Sequence, residues 1–305
     1  MYRKVKSVFK SFAEIVEACK KQSKKTVAIA CAGDDLALAA VREVERLGIS
    51  ECILIDSKEK IMKAAEKIGY AVNEKNIVEV RSEPEAASKA VALIHSGDAH
   101  LPMKGQMQTN DYLRAILDKE KGLRGKGLLS HVAVFEKPAG GLWFVTDCAM
   151  TIAPDLPQKI NLIENAVSVA RRLGVATPKV AVVSFLEQVS LQAASSTEAA
   201  ILSKMGERGQ IKNCLIDGPL AFDNAISGEA AQHKGINGPV AGQADILLMP
   251  NIEVGNVLAK SLSMVAKVNA SGLVAGATVP VIQSPRADPM ESKINSIALS
   301  QYILG

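Results

Sequence analysis

Short apolar runs alternate with segments of helical spacing along most of the chain. Thr26 to Ala32 is an apolar run, and Asp34 to Leu47 then repeats apolar positions at helical intervals up to a stop at Gly48. Cys52 to Ile55 with Lys58 to Ile68, and Ile77 to Val80 with Pro84 to His95, repeat the unit. A strand in Asp98 to Gly105, before a helix that starts near Asn110, repeats it once more. Such an order predicts a parallel sheet with right-handed crossovers. Leu128 to Phe135 and Leu142 to Val145 change the rhythm, because Lys137 to Gly141 between them has the composition of a loop that permits a hairpin or a strand switching sheets. The alternation then resumes with Lys179 to Phe185 and Thr197 to Met205, Cys214 to Ile216 and Phe222 to Ala231, and Ile246 to Met249 and Val254 to Val265. Gly272 to Ile282, rich in Val, Ala and Gly without alternation, reads as a parallel strand covered on both faces. A polar loop follows, and Pro289 suits the first turn of a last amphipathic helix ending near Leu304.

These elements predict an α/β protein of two lobes with mainly parallel sheets. Residues 1–130 plus 271–305 form the first lobe, and 131–270 form a second lobe inserted into it. A chain of 305 residues, 48% of them hydrophobic, is long enough to bury two such cores. Ligands of open α/β sheets bind at the carboxyl ends of the strands, so a cleft is expected between the lobes where strand ends converge.

Charge narrows the function classes. The net charge of +4 and pI of 8.7 are mild, and the Lys-rich region from Lys4 to Lys25 is interrupted by Glu14, Glu17 and apolar residues, as on a solvated helix face. Few aromatics and no basic tract among them argue against a nucleic-acid partner, while the positive balance suits a small anionic substrate. The first residues lack the apolar core of a signal peptide, and no run approaches the roughly 18 apolar residues of a membrane span. A soluble, cytoplasmic protein with no membrane partner is expected.

Five cysteines, Cys19, Cys31, Cys52, Cys148 and Cys214, are scattered without a CxxC pair, which favours buried thiols over disulfides or a zinc site. Of the four histidines, His131 reads as a hydrogen-bonded core residue, whereas His100 lies in a polar, Gly-containing stretch that keeps it a candidate.

Four loops at predicted strand ends carry the candidate chemistry. Lys104 and Gly105 combine a compact positive charge with a residue that lets backbone approach a ligand, which serves a phosphate or is a surface turn with an incidental lysine. Asp217 and Gly218 precede Asp223 at a helix start, where a carboxylate compensates the dipole or contributes to binding. Asn251 is a plausible cap for a helix carrying Gly255, Asn256 and Lys260, and the last two share a face that is either solvated or turned towards a ligand. In the fourth loop, Ser284, Arg286, Asp288 and Glu291 follow a buried strand, and a guanidinium beside a carboxylate either recognises an anion or tidies a helix start.

The joint order of these segments resembles the phosphate acetyl/butyryltransferase family, its butyryltransferase branch in particular. The resemblance runs through MKG before a helix start at Thr109, GLLSHVAVFE, IAPDLPQKINLIENAV, LGVATPKVAVVS, DGPLAFDNAIS, ADILLMPNIEVGNVLAKSL and PVIQSPRADPMESKINSIALS. It implies an isocitrate/isopropylmalate dehydrogenase-like fold whose interlobe cleft moves a short acyl group, butyryl first, between CoA and inorganic phosphate. Acyl-CoA, phosphate and acyl phosphate are then the partners, with no permanently bound cofactor and no metal. Homo-oligomerisation and functional coupling to an acyl (butyrate) kinase are also implied. By similarity to the family's Ser-Arg motif, Arg286 binds phosphate or acyl phosphate. Pro285 stands where the family has serine, and Ser284 precedes it. In acetyltransferases a carboxylate six residues after the arginine deprotonates the CoA thiol; that position is Ser292 here, which leaves Asp288, then Glu291, for the base. The competing readings are a phosphate acetyl- or propionyltransferase, a covalent route through Cys148 or Cys214, a non-catalytic acyl-CoA sensor, and a metal-dependent decarboxylating dehydrogenase using Asp217, Asp223, Asp245 and Asp288.

Overall fold

In the computed structural model, which describes residues 8–284 and 288–305, the chain divides into two units. The first consists of Phe12–Gly127 with Ser271–Gly305, and the second of residues 8–11 with Leu128–Ala270. The division differs from the expected one at the N-terminus. Residues 8–11 join the second unit, where Phe9 N donates to the Leu173 carbonyl at 3.3 Å and Lys10 O accepts from Gly141 N at 3.0 Å.

The first unit runs α1 (Phe12–Cys19), β1 (Lys25–Ala30), α2 (Asp35–Arg46), β2 (Ser50–Asp56), α3 (Lys58–Lys67), β3 (Ile77–Glu79), α4 (Glu83–Ser96), β4 (Leu101–Lys104) and α5 (Thr109–Ile116). Its strands are parallel in the order β3-β2-β1-β4. Helix α2 shows how the sequence builds the layer: Asp34 caps it by accepting from Ala37 N at 2.9 Å, and Ala37, Leu38, Val41 and Val44 bury the stripe that periodicity predicted. Burying each Leu or Val of that stripe contributes about 1.5–3 kcal/mol. From β1 the chain moves outward to β2 and β3, then returns to the other side of β1 for β4. Its direction therefore reverses between β1 and β4.

In the second unit β5 (Ser130–Glu136) and β6 (Leu142–Thr146) form an antiparallel hairpin that pairs Glu136 with Leu142 and Ala133 with Val145. Then come α6 (Leu156–Arg172), β7 (Lys179–Val183), α7 (Ala194–Glu207), β8 (Leu215–Leu220), α8 (Phe222–Ile226), α9 (Gly228–His233), β9 (Ile246–Leu248) and α10 (Ile252–Lys260). Within the unit the sheet order is β5-β6-β9-β7-β8, parallel beyond the hairpin. Strand β8 continues through Gly218 and Pro219 instead of stopping there, because it is an edge strand and a proline without N–H is tolerated on an edge. The helix expected over Phe222 to Ala231 is broken at Ser227, which leaves helical backbone (φ −119°, ψ 116°) and caps α9 by accepting from Ala230 N at 3.2 Å. Helix α10 continues as a π-helical segment, Ser261–Val265.

Two expectations near the C-terminus are corrected. The single strand expected over Gly272 to Ile282 is instead β10 (Ala270–Ala275) and a separate return segment. The chain reverses over 276–280: Gly276 has φ 91°, a left-handed conformation that only glycine adopts freely, and Val274 and Val281 exchange backbone bonds of 2.8 and 3.1 Å. Ile282 thereby lies parallel to Met103 of β4. The closing helix, α11 (Met290–Leu304), is not amphipathic but buried on every side from Ser292 to Gln301, with α1 and α2 against it. Some of its buried polar groups have internal partners, whereas Ser300 Oγ and Gln301 Nε2 find none among the described residues. Ser296 Oγ meets Ser271 Oγ at 3.0 Å and accepts from Ser284 Oγ at 3.4 Å, and Gln301 Oε1 accepts from Ser50 Oγ at 2.6 Å. No helix among the described residues is long and apolar enough to cross a membrane.

Candidate functional site

In the first unit the reversal between β1 and β4 defines a topological switch point, and ligands of open α/β sheets bind at the strand ends there. The loop after β4 begins with Lys104 and Gly105. Gly105 N donates to Ala30 O at 2.8 Å and Gln106 N to Cys31 O at 2.9 Å, so backbone bonds join this loop to the end of β1. The approach leaves no room for a side chain: a Cβ on Gly105 would lie 2.2 Å from Cys31 O. Lys104 is only 3% exposed, and its Nζ donates to the carbonyls of Gly105 and Met107 at 3.3 and 3.4 Å. A lysine held this way presents a fixed, largely dehydrated charge instead of an incidental surface one.

Ile282 extends the same sheet edge, because Lys104 N donates to Ile282 O at 2.9 Å. That register brings Ser284 next to the Lys104 strand end, although the Ser284 hydroxyl is buried and turned to Ser296. Pro285 and Arg286 lie outside the described residues. Asp288 accepts from Ser292 Oγ at 3.4 Å. Burial pushes its carboxyl above the ordinary range, against the opposing pull of Lys293, the Ser292 hydrogen bond and Lys104. Lys293 is buried on α11, which pushes its ammonium below the ordinary range against Asp288 and Asp34. Glu291 is exposed on the first turn of α11.

In the second unit the neighbouring ends of β6 and β9 carry another constellation. Asp147 follows β6, is 2% exposed, and receives four donors: Ala149 N (2.8 Å) and Met150 N (2.9 Å) on Oδ1, and His131 N (3.1 Å) and Thr151 Oγ1 (3.2 Å) on Oδ2. The resulting turn meets the start of α10. Asn251 caps that helix by accepting from Val254 N at 3.0 Å, a Cβ on Gly255 would lie 2.3 Å from Asp147 O, and Asn256 Nδ2 donates to Cys148 O at 3.1 Å. Asn251, Gly255 and Asn256 are thus fixed at one strand edge, whereas Lys260 is exposed at the far end of α10. Asp217 and Gly218 are not part of this constellation. They lie on β8, two strands from β9, and Gly218 is packed so closely that a Cβ would lie 2.9 Å from Val182.

The structure gives Cys148 the basic neighbour that the sequence did not reveal, since His131 Nδ1 lies 3.2 Å from Cys148 Sγ. Burial and then the Asp147 charge nevertheless push the thiol up to about 12, and burial pushes the His131 imidazole down against the pull of Asp147. A nucleophilic cysteine needs the thiolate, which this environment disfavours. Cys214 is likewise pushed up, to about 11, by burial and Glu164. Cys148→Ala and Cys214→Ala are each expected to keep turnover within a few-fold of the parent; a loss of a thousandfold in either, with folding intact, would restore covalent catalysis.

His100 is absorbed by the fold, its Nδ1 accepting from Thr26 N at 3.1 Å. The aspartates of the metal-dependent reading are dispersed: Asp223 pairs with Lys234 at 3.1 Å and Asp245 with Lys137 at 3.4 Å, and no group of three His, Cys, Asp or Glu able to hold a metal occurs among the described residues. A groove of about 540 Å³, lined by α4 and α5 residues including Val91, His95 and Arg114, contains none of the site candidates. Sequence reasoning missed Asp147 and Lys293. Asp147 had a legible signal, an aspartate directly after a strand and followed by small residues whose amides can curl onto it. Lys293 had none, because a lysine within a helix normally reads as solvated.

Residues 79–301 match the family described as phosphate acetyl/butaryl transferase. Over 299 residues the chain is 45% identical to the phosphate butyryltransferase of Clostridium acetobutylicum, covering 98% of this chain and 99% of that one. Over 288 residues it is 41% identical to the phosphate acetyltransferase of Thermotoga maritima, covering 94% and 97%. Among solved structures, a branched-chain phosphotransacylase from Enterococcus faecalis V583 matches with a TM-score of 0.82 at 34% identity, covering 92% of this chain and 99% of that one. Fold and matches together define an α/β transferase with mainly parallel sheets. The chain belongs to the phosphate acetyl/butaryl transferase family.

Proposed function

We propose that this enzyme moves a short acyl group, butyryl foremost, between CoA and inorganic phosphate: butanoyl-CoA + phosphate = CoA + butanoyl phosphate. The observation that carries the reading is the full-length likeness to a phosphate butyryltransferase. The buried Lys104 at a switch point supports it, since phosphate needs a fixed cation. Phosphate, bound by Lys104 and Arg286, attacks the thioester carbonyl directly, and CoA leaves as thiolate. Gly105 admits the phosphate close to backbone, and the Asn256 amide, oriented from the capped start of α10, steadies the tetrahedral oxyanion. In the opposite direction Asp288 takes the proton of the CoA thiol, with Glu291 as second choice. The dehydrogenase-like two-lobed arrangement with its interlobe cleft, the cytoplasmic setting, homo-oligomerisation and coupling to an acyl kinase belong to the same proposal.

Lys104→Met is expected to raise the KM for phosphate at least tenfold in a salt-sensitive way, while Asn256→Ala lowers kcat roughly a hundredfold with little change in KM. Steady-state kinetics with phosphate varied at two ionic strengths separates the two effects, and parental constants in both variants would return these residues to a structural role. The reaction class is tested by mixing the protein with butyryl-CoA and phosphate, without metal or NAD, and following free thiol. Turnover supports the transferase; tight CoA binding without turnover identifies a sensor, and oxidation of a hydroxy acid only with metal and NAD identifies a dehydrogenase. A series of acyl-CoAs of increasing chain length sets the preference, for which an apolar pocket distinguishes one methylene by about 1–3 kcal/mol.

A further inference from the structure

A buried lysine on α11 has no part in the mechanism above. Lys293 is 5% exposed, in the first turn of a helix enclosed on all sides, and neither its burial nor its place in a core helix suits an ordinary lysine. One turn earlier the chain presents Asp288, tied to the same turn by the Ser292 hydroxyl at 3.4 Å. We infer that Lys293 is a positioning residue that holds Asp288 as a carboxylate at the entrance to α11. The inference rests on the reading of Asp288 as the base.

The electrostatic setting around the pair is explicit. Asp288 is dehydrated by burial, which favours the protonated acid over the carboxylate that a base requires. Opposing that are Lys293 and the Ser292 hydroxyl from α11 and Lys104 from the end of β4. Lys293 in turn is opposed in its dehydration by Asp288 and by Asp34, the cap of α2. Lys104 donates to two carbonyls of its own loop, while Lys293 follows Asp288 by five residues and stands in the first turn of α11. A lysine in this place keeps a half-buried aspartate available as a proton acceptor without touching the substrate.

The inference is tested on the full chain by titrating the Asp288 carboxyl through its ¹³C resonance, assigned with Asp288→Asn, in the parent and in Lys293→Met. Met preserves the volume of a buried stem; Lys293→Gln serves if Met does not fold. Loss of the Lys293 charge is expected to raise the Asp288 pKa by about one unit, a tenfold change in its ionisation ratio. The acidic limb of kcat/KM for acyl phosphate plus CoA should move up by the same amount, so activity falls about tenfold at low pH and hardly at all above the limb. An unmoved Asp288 titration overturns the inference, as does a pH-independent rise in phosphate KM, which would make Lys293 a ligand of the anion. A moved titration with an unmoved kinetic limb leaves Lys293 as the partner of Asp288 and removes Asp288 as the base, so the two readings fail separately.

Discussion

Gly105→Ala is expected to destabilise the protein by roughly 2–3 kcal/mol and to remove nearly all turnover. The added Cβ would lie 2.2 Å from the Cys31 carbonyl oxygen and 2.6 Å from that of Ala30, and both are backbone atoms that no rotamer change can move aside. The loop must shift, and with it Lys104, whose ammonium is aligned by the Gly105 carbonyl itself. Gly97→Ala is the control. Gly97 has φ 80° with nothing within 4 Å of the added Cβ, so that variant should lose about 1 kcal/mol from backbone strain alone and keep its activity. Denaturant unfolding beside steady-state rates reads both, and a Gly105→Ala enzyme with parental stability and rate would mean that the junction of the two loops is unimportant.

Asp288→Asn is expected to slow the reaction of acyl phosphate with CoA by roughly a hundredfold while affecting acyl-phosphate formation much less. The asymmetry follows from the thiol: CoA departs readily as thiolate, but as a nucleophile it must lose a proton held with a pKa near that of cysteine, about 8.5. Burial raises the Asp288 pKa, so the parent enzyme itself loses this direction as pH falls through that raised value. The deficit of the variant is therefore greatest between the Asp288 pKa and that of the thiol, and it shrinks at higher pH as the thiol ionises unaided. Rate profiles in both directions across pH test this. An equal, pH-independent loss in the two directions would instead assign Asp288 to orienting its loop.

The βα alternation was legible because each core strand of the first unit is a short apolar run and each helix stops at a turn residue, as the span from β1 to α4 bears out. Legibility failed where one local pattern has two tertiary outcomes. Gly272 to Ile282 is rich in Val, Ala and Gly without alternation, and only contacts with both Val274 and Met103 reveal that Gly276 reverses it. In α11 the spaced Ser, Asn and Gln residues read as a solvated face, yet they are buried: Ser296 Oγ and Gln301 Oε1 are satisfied by Ser271, Ser284 and Ser50, while Ser300 Oγ and Gln301 Nε2 find no partner among the described residues. Lys104 was visible as a strand-end cation, but its significance depends on strand order, which local spacing does not encode. Asp147 is the same case: one aspartate in the sequence, and a four-donor anchor beneath α10 once the chain curls around it.

Direct transfer from CoA to phosphate is tested most plainly by isotope exchange. Labelled CoA is incubated with butyryl-CoA and the enzyme, first without and then with phosphate, while butyryl phosphate and free thiol are followed together. Direct displacement predicts no entry of label into butyryl-CoA until phosphate is present, and then butyryl phosphate appearing in step with free CoA. Label entering butyryl-CoA at a turnover-like rate without phosphate, or thiol released without butyryl phosphate, would contradict it.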